Sequence, residues 1–395
     1  MRITTRGYGL LVAGVLLLGT GFRFGYPELA MLGSAAVLAV IGALLFVAWR
    51  PRLAIERAVD PDRVMRGELS RVTLNIRNAS RFFGASLVAR DRLRPVTTGR
   101  GETGGTVPVP LVRLRPGRVT TVGYAVPTRR RGVLDIGPLE ISRRDPLALV
   151  GVVRRYGGTI RVWVRPRVHL IAAVPVGLSR SMDGRIDRVP QGSITFAALR
   201  EYVMGDDLRH VHWRTSARVG ELMVREHVDT SLPRMVILLD DRLSAHAVGG
   251  NGESTFEADC EAAASVLVAA FREDVHVELQ LVSGPVAAGE VGSLLDLLTE
   301  ADPGTHPTLS PDEVLRGAIE RLRIRRQGDT LLFLTGPPNE AELGAVAGLR
   351  GAYPSIIAAV FGTVESGLAT SAGLLVVSAT DGLDFAAAWD GISAW

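Results

Sequence analysis

The residues of this chain best suited to chemistry crowd into one stretch, R-E-Y-V-M-G-D-D-L-R-H-V-H-W-R-T-S-A-R-V-G-E-L-M-V-R-E at 200–226. Asp206 and Asp207 are a carboxylate pair of the kind that can serve as general acid and base. His210 and His212, at period two, would put two imidazoles on one face of a strand, half of a metal site. A hydrolase using Asp206, Arg209 and His212 is therefore one reading. Each feature also has a plainer one. A G-D-D turn that caps a helix, or that accepts from Arg209 and Arg214, accounts for the acids. No third ligand accompanies the histidines, and His212 fits a charge network with Asp206 or Glu226. Ser216 lacks the G-x-S-x-G setting of an activated serine. Trp213 reads as a packed anchor rather than a stacking platform.

The charge balance favours the plainer readings. Arg200, Arg209, Arg214, Arg218 and Arg225 face Glu201, Asp206, Asp207, Glu221 and Glu226 across the same stretch. A nucleic-acid surface would carry one sign. Planar guanidinium forks bind carboxylates and stack on rings such as Tyr202 and Trp213, so the stretch reads as an internal network. Its members are Arg200, Tyr202, Gly205, Asp206, Arg209, His212, Trp213, Arg214, Ser216, Arg218 and Glu226, with no residue assigned to catalysis.

Composition narrows the remaining chemistry. All 45 basic residues are Arg, so neither a Schiff-base lysine nor a phosphate-loop lysine is available. A net charge of +4 gives no case for a polyanion partner. Cys260 is the single cysteine, which excludes an intrachain disulfide framework and suits a reducing compartment. It lies in an Ala-rich helical run and reads as core. No Gly-rich phosphate loop and no H-E-x-x-H occurs. With 395 residues the chain is long enough for two or three domains, and 47% apolar residues is high for a wholly soluble protein.

The elements that must position these residues follow in order. Residues 1–52 hold two uncharged apolar runs, 7–22 and 29–49, joined by the short R-F-G-Y-P-E turn. A helix needs roughly 20 apolar residues to cross a bilayer. The pair reads as a transmembrane hairpin, with Arg23 snorkelling to extend the first run. A cleaved leader followed by one span is the rival, but no good small-x-small cleavage site precedes Arg23. Arg2 and Arg6 before the hairpin, and Arg50, Arg52 and Arg57 after it, put both ends in the cytoplasm at the inner (plasma) membrane. Residues 53–168 alternate at period two between Gly, Pro and Asp turns, which predicts a small all-β sandwich-like domain, with 95–118 a long surface loop. The triple Arg at 129–131 reads as a solvated hairpin next to the membrane, with contact to anionic headgroups the alternative. Residues 169–199 form a polar, mobile connector, and 200–232 the charged motif region. From 233 to 395, apolar strands alternate with helices, the pattern of a doubly wound α/β domain with a mostly parallel sheet.

The motif R-E-Y-x-x-G-D-D-x-R-x-V-H-W-R-x-S-A-R, followed by L-x-V-R-E and an apolar strand ending in Asp240, resembles the domain-of-unknown-function-58 family. R-R-R-G-V-L-D-I-G-P-L, D-P-L-A-L at 145–149 and V-R-P-R at 164–167 extend the resemblance upstream. It implies a membrane-anchored protein with a von Willebrand factor A-like C-terminal domain. It further implies action beside a MoxR-type AAA+ ATPase, or on a client of that ATPase, with no established catalysis. Domains of that kind bind Mg²⁺ through D-x-S-x-S at the end of the first strand, using hard oxygen ligands. Asp240 and Ser244 match that pattern, with Thr305 or Thr308 as a further ligand. Arg242 stands where the first serine belongs, and Gly336 where a later Asp is expected. The site is degenerate, and no cofactor is expected. An Mg²⁺-dependent adhesion-type binder is the alternative. The leading expectation is a membrane-anchored interaction protein, with the lipid bilayer and the ATPase or its client as partners and no nucleic acid.

Overall fold

Two long helices open the chain in the computed structural model, which describes residues 2–48, 53–78, 88–96, 104–109, 117–175, 179–180, 186–187, 198–202, 211–226, 234–247, 254–305, 307–325, 328–362, 367–371 and 373–392. Strand β1 (Arg2–Ile3) precedes α1 (Thr5–Phe24) and α2 (Pro27–Ala48). Thr4 caps α1, accepting from the Gly7 N–H at 3.2 Å. Gly25 ends α1 at φ 70°, a left-handed conformation that glycine adopts without a Cβ clash. Pro27 then starts α2, where its missing N–H costs nothing. The helices touch through small residues. A Cβ on Gly33 would lie 2.7 Å from the Leu18 nitrogen and 2.8 Å from the Gly14 carbonyl oxygen. Such close backbone approach is how helices pack where lipid tails remove the hydrophobic drive. Leu16, Phe22, Met31, Leu38 and Leu45 point outward, exposed. Both helices are long and apolar enough to cross a bilayer.

Residues Met1–Arg165 make one compact unit, and its β part is two sheets face to face. The first sheet is antiparallel: β2 (Leu53–Asp60), β4 (Arg71–Asn78) and β7 (Val119–Ala125). The second is built on the long β8 (Gly132–Arg144). β5 (Val88–Pro95) lines one edge of β8, with β6 (Thr106–Val109) beyond it. β10 (Ile160–Arg165) pairs with the first half of β8 and β9 (Val150–Tyr156) with the second. β3 (Arg63–Met65) pairs in parallel with β10, and β1 pairs with β9. Val72, Leu74 and Ile76 of β4, at period two, meet Ala89, Ile136, Leu139 and Ile141 in the core. The hairpin joins this unit at β9, where Val40, Ala43 and Val47 cluster with Leu149, Val150 and Val152.

Three expectations change here. The stretch 95–118 contains β6 and is not all loop. The triple Arg follows Thr128, which is held by Glu68 and Gly67 at the start of β8. The hairpin packs near the other end, roughly 40 Å along a thirteen-residue strand. The turn is therefore not beside the hairpin base. Arg57 is not a free flanking charge either. Its Nη2 lies 2.7 Å from Asp91 Oδ1, with both side chains buried. Tyr124 donates to Asp91 Oδ2 at 2.6 Å, and burial, then Asp91, pushes its pKa well up. Arg57 also donates to the Ile136 and Gly158 carbonyls. β2, β5 and β7 are thus tied across the sandwich by one polar strut.

Residues Pro166–Trp395 form a second unit. Its first ten residues are a bound strap rather than a mobile connector. Ile171 and Val174 are buried in the sheet core. His169 N–H donates to Ser265 Oγ at 2.9 Å, Ala172 N–H to Asp390 Oδ1 at 2.8 Å, and Trp389 Nε1–H to the Ala173 carbonyl at 2.9 Å. The apolar spacing of Val168, Ile171 and Val174 supplies the reason, because those side chains cover α4 and α8 (below). Within 176–197 only a two-residue ladder, β11 (Ser179–Arg180) with β12 (Ile186–Asp187), is described. β13 (Ala198–Glu201), α3 (Trp213–Val219) and β14 (Met223–Glu226) follow.

The sheet of this unit starts with β15 (Arg234–Leu239), α4 (Thr255–Arg272), β16 (His276–Leu281) and β17 (Val286–Ala288). α5 (Val291–Glu300), α6 (Pro311–Arg325), β18 (Thr330–Thr335), α7 (Glu340–Ala347), β19 (Ser355–Phe361), β20 (Gly367–Ser371), β21 (Leu374–Ala379) and α8 (Gly382–Asp390) complete it. Strand order is β17-β16-β15-β18-β19-β21-β20, parallel except at the two edge strands β17 and β20. α4, α5 and α8 cover one face and α6 and α7 the other. The chain leaves β15 toward one side of the sheet and β18 toward the other, so their carboxyl ends flank the topological switch point. α8 is capped at Gly391, and residues 393–395 lie outside the described set.

Asp91→Ala would leave the buried Arg57 without its partner, a loss of about 3–5 kcal/mol for a broken buried pair. Tyr124→Phe removes one hydrogen bond to a charged group and should cost about 1.5–3 kcal/mol. Thermal unfolding of the detergent-solubilised chain, followed by limited proteolysis within residues 53–165, should rank the variants in that order.

Candidate functional site

The motif residues form a strand–helix–strand clasp of their own. β13 and β14 pair antiparallel, Ala198 opposite Glu226 through Glu201 opposite Met223. The chain returns at Val211, which is buried, and the His212 N–H donates to the Met223 carbonyl at 2.7 Å. His212 is the N-cap of α3. Its Nδ1 accepts from the Thr215 N–H at 3.2 Å and lies 2.7 Å from Thr215 Oγ1. Ser216 Oγ accepts from the Met223 N–H at 2.8 Å and donates to the His212 carbonyl at 3.2 Å. These two side chains therefore close the helix onto β14. Gly220 ends the helix at φ 88°. Thr215 was not singled out beforehand, although its place three residues after a cap is where a helix offers an N–H.

The expected charge network is only partly within view. Gly205, Asp206, Arg209 and His210 lie outside the described residues, as do the side chains of Arg200 and Glu226. Tyr202 is half-buried, its N–H donating to the Leu222 carbonyl at 2.7 Å. Arg214 and Arg218 are exposed, with no ion pair among the described residues. Trp213 corrects its expectation. It is 65% exposed on the first turn of α3. Val219 is exposed beside it.

The second group of candidates lies at the switch point. Asp240 follows β15 and is wholly buried. Arg242 turns back on it, with Nη2 2.7 Å from Oδ2 and Nε 2.9 Å from Oδ1. The Arg242 N–H adds a bond to Oδ1 at 3.1 Å, and Thr335 Oγ1, at the end of β18, donates to Oδ2 at 2.9 Å. The guanidinium's remaining nitrogen meets Glu342 Oε1 at 2.8 Å and the Pro311 carbonyl at 3.3 Å. Burial alone would lower the Arg242 pKa, but Asp240 and then Glu342 raise it above that of free arginine. Asp241 is also buried, its Oδ1 accepting from the Ser283 N–H at 2.8 Å, and burial pushes its carboxyl up.

This donor set does not fit a bound Mg²⁺. A hard cation needs the carboxylate oxygens that Arg242 and Thr335 already hold. Ser244 and Thr305 sit exposed on adjoining loops, joined by the Leu243 N–H to the Gly304 carbonyl at 2.9 Å. Asp240, Ser244 and Thr305 are thus near neighbours in the fold without forming a coordination sphere. Gly336 also has a steric reason to lack a carboxylate, since a Cβ there would collide with the Ala245 carbonyl oxygen. No group of three or more His, Cys, Asp or Glu suited to a metal occurs among the described residues.

Below the loop lies a buried His–Asp pair that the sequence did not single out. His246 Nε2 meets the Asp240 carbonyl at 2.5 Å, and Nδ1 lies 3.1 Å from Thr255 Oγ1 and 3.3 Å from Asp259 Oδ2. Asp259, on α4, is fully buried and neither oxygen makes a hydrogen bond. Burial, then the charge of Asp240, holds its carboxyl well above the usual range, while burial lowers His246. In both groups burial works against the charged form. The helical spacing of Thr255 and Asp259 on one face of α4 was the available signal.

The family model described as "Protein of unknown function DUF58" matches residues 198–336, about a third of the chain. No curated protein matches. Among solved structures the chain is similar to an alkylpurine DNA glycosylase from Pseudomonas fluorescens bound to abasic-site DNA, at 14% identity, 38% of this chain, 42% of that one and a TM-score of 0.24. A β-glucosidase from Erythrobacter marinus is similar at 12% identity, over 29% of this chain and 15% of that one, with a TM-score of 0.20. The chain thus spans less than half of either protein, and likeness at this level carries no argument about fold or activity.

Two outcomes follow from the geometry. Arg242→Ala should lose about 3–5 kcal/mol, because Asp240 is left buried and unpaired. Asp240→Asn in that background should recover part of the loss, and neither Mg²⁺ nor a chelator should move the wild-type melting temperature. The second concerns pH. A carboxyl whose folded pKa is raised stabilises the fold below its unfolded pKa of about 4, and that contribution is lost as pH rises toward the folded value. The stability advantage of Asp259→Asn over wild type should therefore grow with pH above about 4 in denaturant titrations. The match to the DUF58 family model covers the segment that carries both the 198–226 clasp and the Asp240–Thr335 switch point.

Proposed function

We propose that this chain is a membrane-anchored protein-interaction module. The hairpin crosses the inner (plasma) membrane twice, with both ends and the soluble parts on the cytoplasmic side. The C-terminal unit, read as a von Willebrand factor A-like domain, binds a MoxR-type AAA+ ATPase or a client of that ATPase, and performs no catalysis itself. The strand order, with β15 central and Asp240 at its carboxyl end, supports the A-like reading.

One observation carries the interaction reading. At the switch point, where such sheets bind ligands, the strand-end carboxylate is held by an internal guanidinium. Meanwhile α3 turns Trp213, Arg214, Arg218 and Val219 outward. An exposed Trp beside two arginines has the composition of an interface hot spot. The hydrolase reading draws no support from His212, whose Nδ1 is engaged in capping α3.

The test is co-purification of the detergent-solubilised chain with the MoxR-type ATPase from the same cells, with and without nucleotide. Trp213→Ala should weaken association roughly 30-fold or more, as for a residue worth 2 kcal/mol. Absence of association in both nucleotide states would defeat the proposal.

A further inference from the structure

The base of the hairpin carries guanidinium groups that the interaction reading leaves unused. In the β8–β9 ladder Arg143 faces Val152, and Arg154 follows two residues later, so Val150, Val152, Arg143 and Arg154 share one face. That is the face where Val150 and Val152 cluster with Ala43 and Val47 of α2. The Arg143 guanidinium stands 4.3 Å from the centre of the Phe46 ring. Arg154 Nη2 reaches the carbonyl of Ala48, the last residue of α2, at 3.5 Å. The two cations are close. After burial, the charge of Arg154 is what lowers the Arg143 pKa.

More charge lies around them. Gly151 pairs with Arg2 on one side and Arg144 on the other, which sets those two arginines in one row on the opposite face of the same strands, roughly 10 Å apart at two strand spacings. Arg6 is exposed on the first turn of α1. Arg2, Arg6, Arg144 and Arg154 make no ion pair with a carboxylate among the described residues. The nearby Asp145 is buried and accepts from its own turn, from the Leu147 N–H at 3.0 Å and the Val150 N–H at 2.6 Å. Leu147, in the turn between β8 and β9, and Val153, on β9, are exposed.

Depth decides what such a collar can meet. α2 has 22 residues, roughly 33 Å at 1.5 Å per residue, which matches a hydrocarbon core of about 30 Å. With α2 spanning that core, Ala48 and the two guanidinia beside it stand at the level of the lipid phosphates. Forked guanidinium groups bind phosphate oxygens bidentately, and exposed apolar side chains suit the same boundary.

We propose that this collar is a binding site for the headgroup phosphate of anionic phospholipids, with one phosphate held between Arg143 and Arg154. The site rests on the membrane-spanning reading of the hairpin. It fixes the β part of the first unit against the bilayer surface through lipid as well as through protein contacts.

The experiment uses the full chain purified in a neutral detergent and titrated with phosphatidylglycerol or phosphatidylcholine, with bound lipid read by native mass spectrometry. Wild type should bind phosphatidylglycerol at least tenfold more tightly. Arg143→Gln/Arg154→Gln should weaken that binding roughly 30-fold and leave phosphatidylcholine unchanged, taking the usual gain per basic residue at a membrane surface. Arg2→Gln/Arg6→Gln, which leaves the contacts with α2 intact, should weaken it less, and serves if the first variant does not fold. Equal binding of the two lipids by wild type, or unchanged binding by both variants, would overturn the site. Full displacement by millimolar inorganic phosphate would reassign it to a free anion. Carbonate extraction of native membranes separates the two premises. A chain released by carbonate defeats the spanning reading, whereas a retained chain without lipid preference defeats only the collar.

Discussion

The C-terminal unit depends on the buried pair of Asp240 and Arg242. A doubly wound sheet leaves a crevice where the chain departs to opposite faces, and a carboxylate at the end of a central strand falls in it. Left alone there, the charge would cost several kcal/mol of lost hydration. The guanidinium two residues later supplies the counter-charge from the same loop, with two forked bonds and little chain to order. Its other contacts bring the start of α6 and the first turn of α7 to the same point. His246 carries the loop on to α4 across the other face. One short loop thereby couples both helical layers to the sheet.

The first unit shows the same rule and its opposite. The Arg57 side chain is buried, and its two terminal nitrogens, held by Asp91 and two carbonyls, join two sheets. At the hairpin base Arg2, Arg6 and Arg144 are exposed and, with Arg154, make no ion pair with a carboxylate among the described residues. In a chain without lysine, arginine takes both roles. A planar fork suits a desolvated pair, and its weak hydration suits a membrane boundary.

Much of the architecture was legible beforehand. β4 matches the run R-V-T-L-N-I-R-N, and the apolar runs ending at Asp240 and Thr335 are β15 and β18. The two apolar helices and the turn at Gly25 were equally plain. The edge strands β17 and β20 were not, because they are short and one-sided and their pairing comes from a neighbour rather than from their own pattern. The strap within 169–175, part of the expected mobile connector, was not legible, since apolar residues three apart show nothing of the surface that awaits them.

The candidate site divides along the same line. Residue order placed Asp240, Arg242 and Ser244 at one strand end, and the family resemblance implied that Arg242 and Gly336 stand where metal ligands are expected. It also placed His212 and Ser216 beside each other in one motif. Only the tertiary structure decided that Arg242 turns inward to hold both oxygens of Asp240, that His212 caps α3 while Trp213 faces out, and that Asp259 lies buried beneath the loop. The physical reason is one of range. Periodicity and spacing determine which face a side chain occupies within its own element. Whether that face meets a carboxylate, a carbonyl or water is set by elements distant in the chain, and for charged groups that environment determines whether a residue is a strut, a clasp or a contact surface.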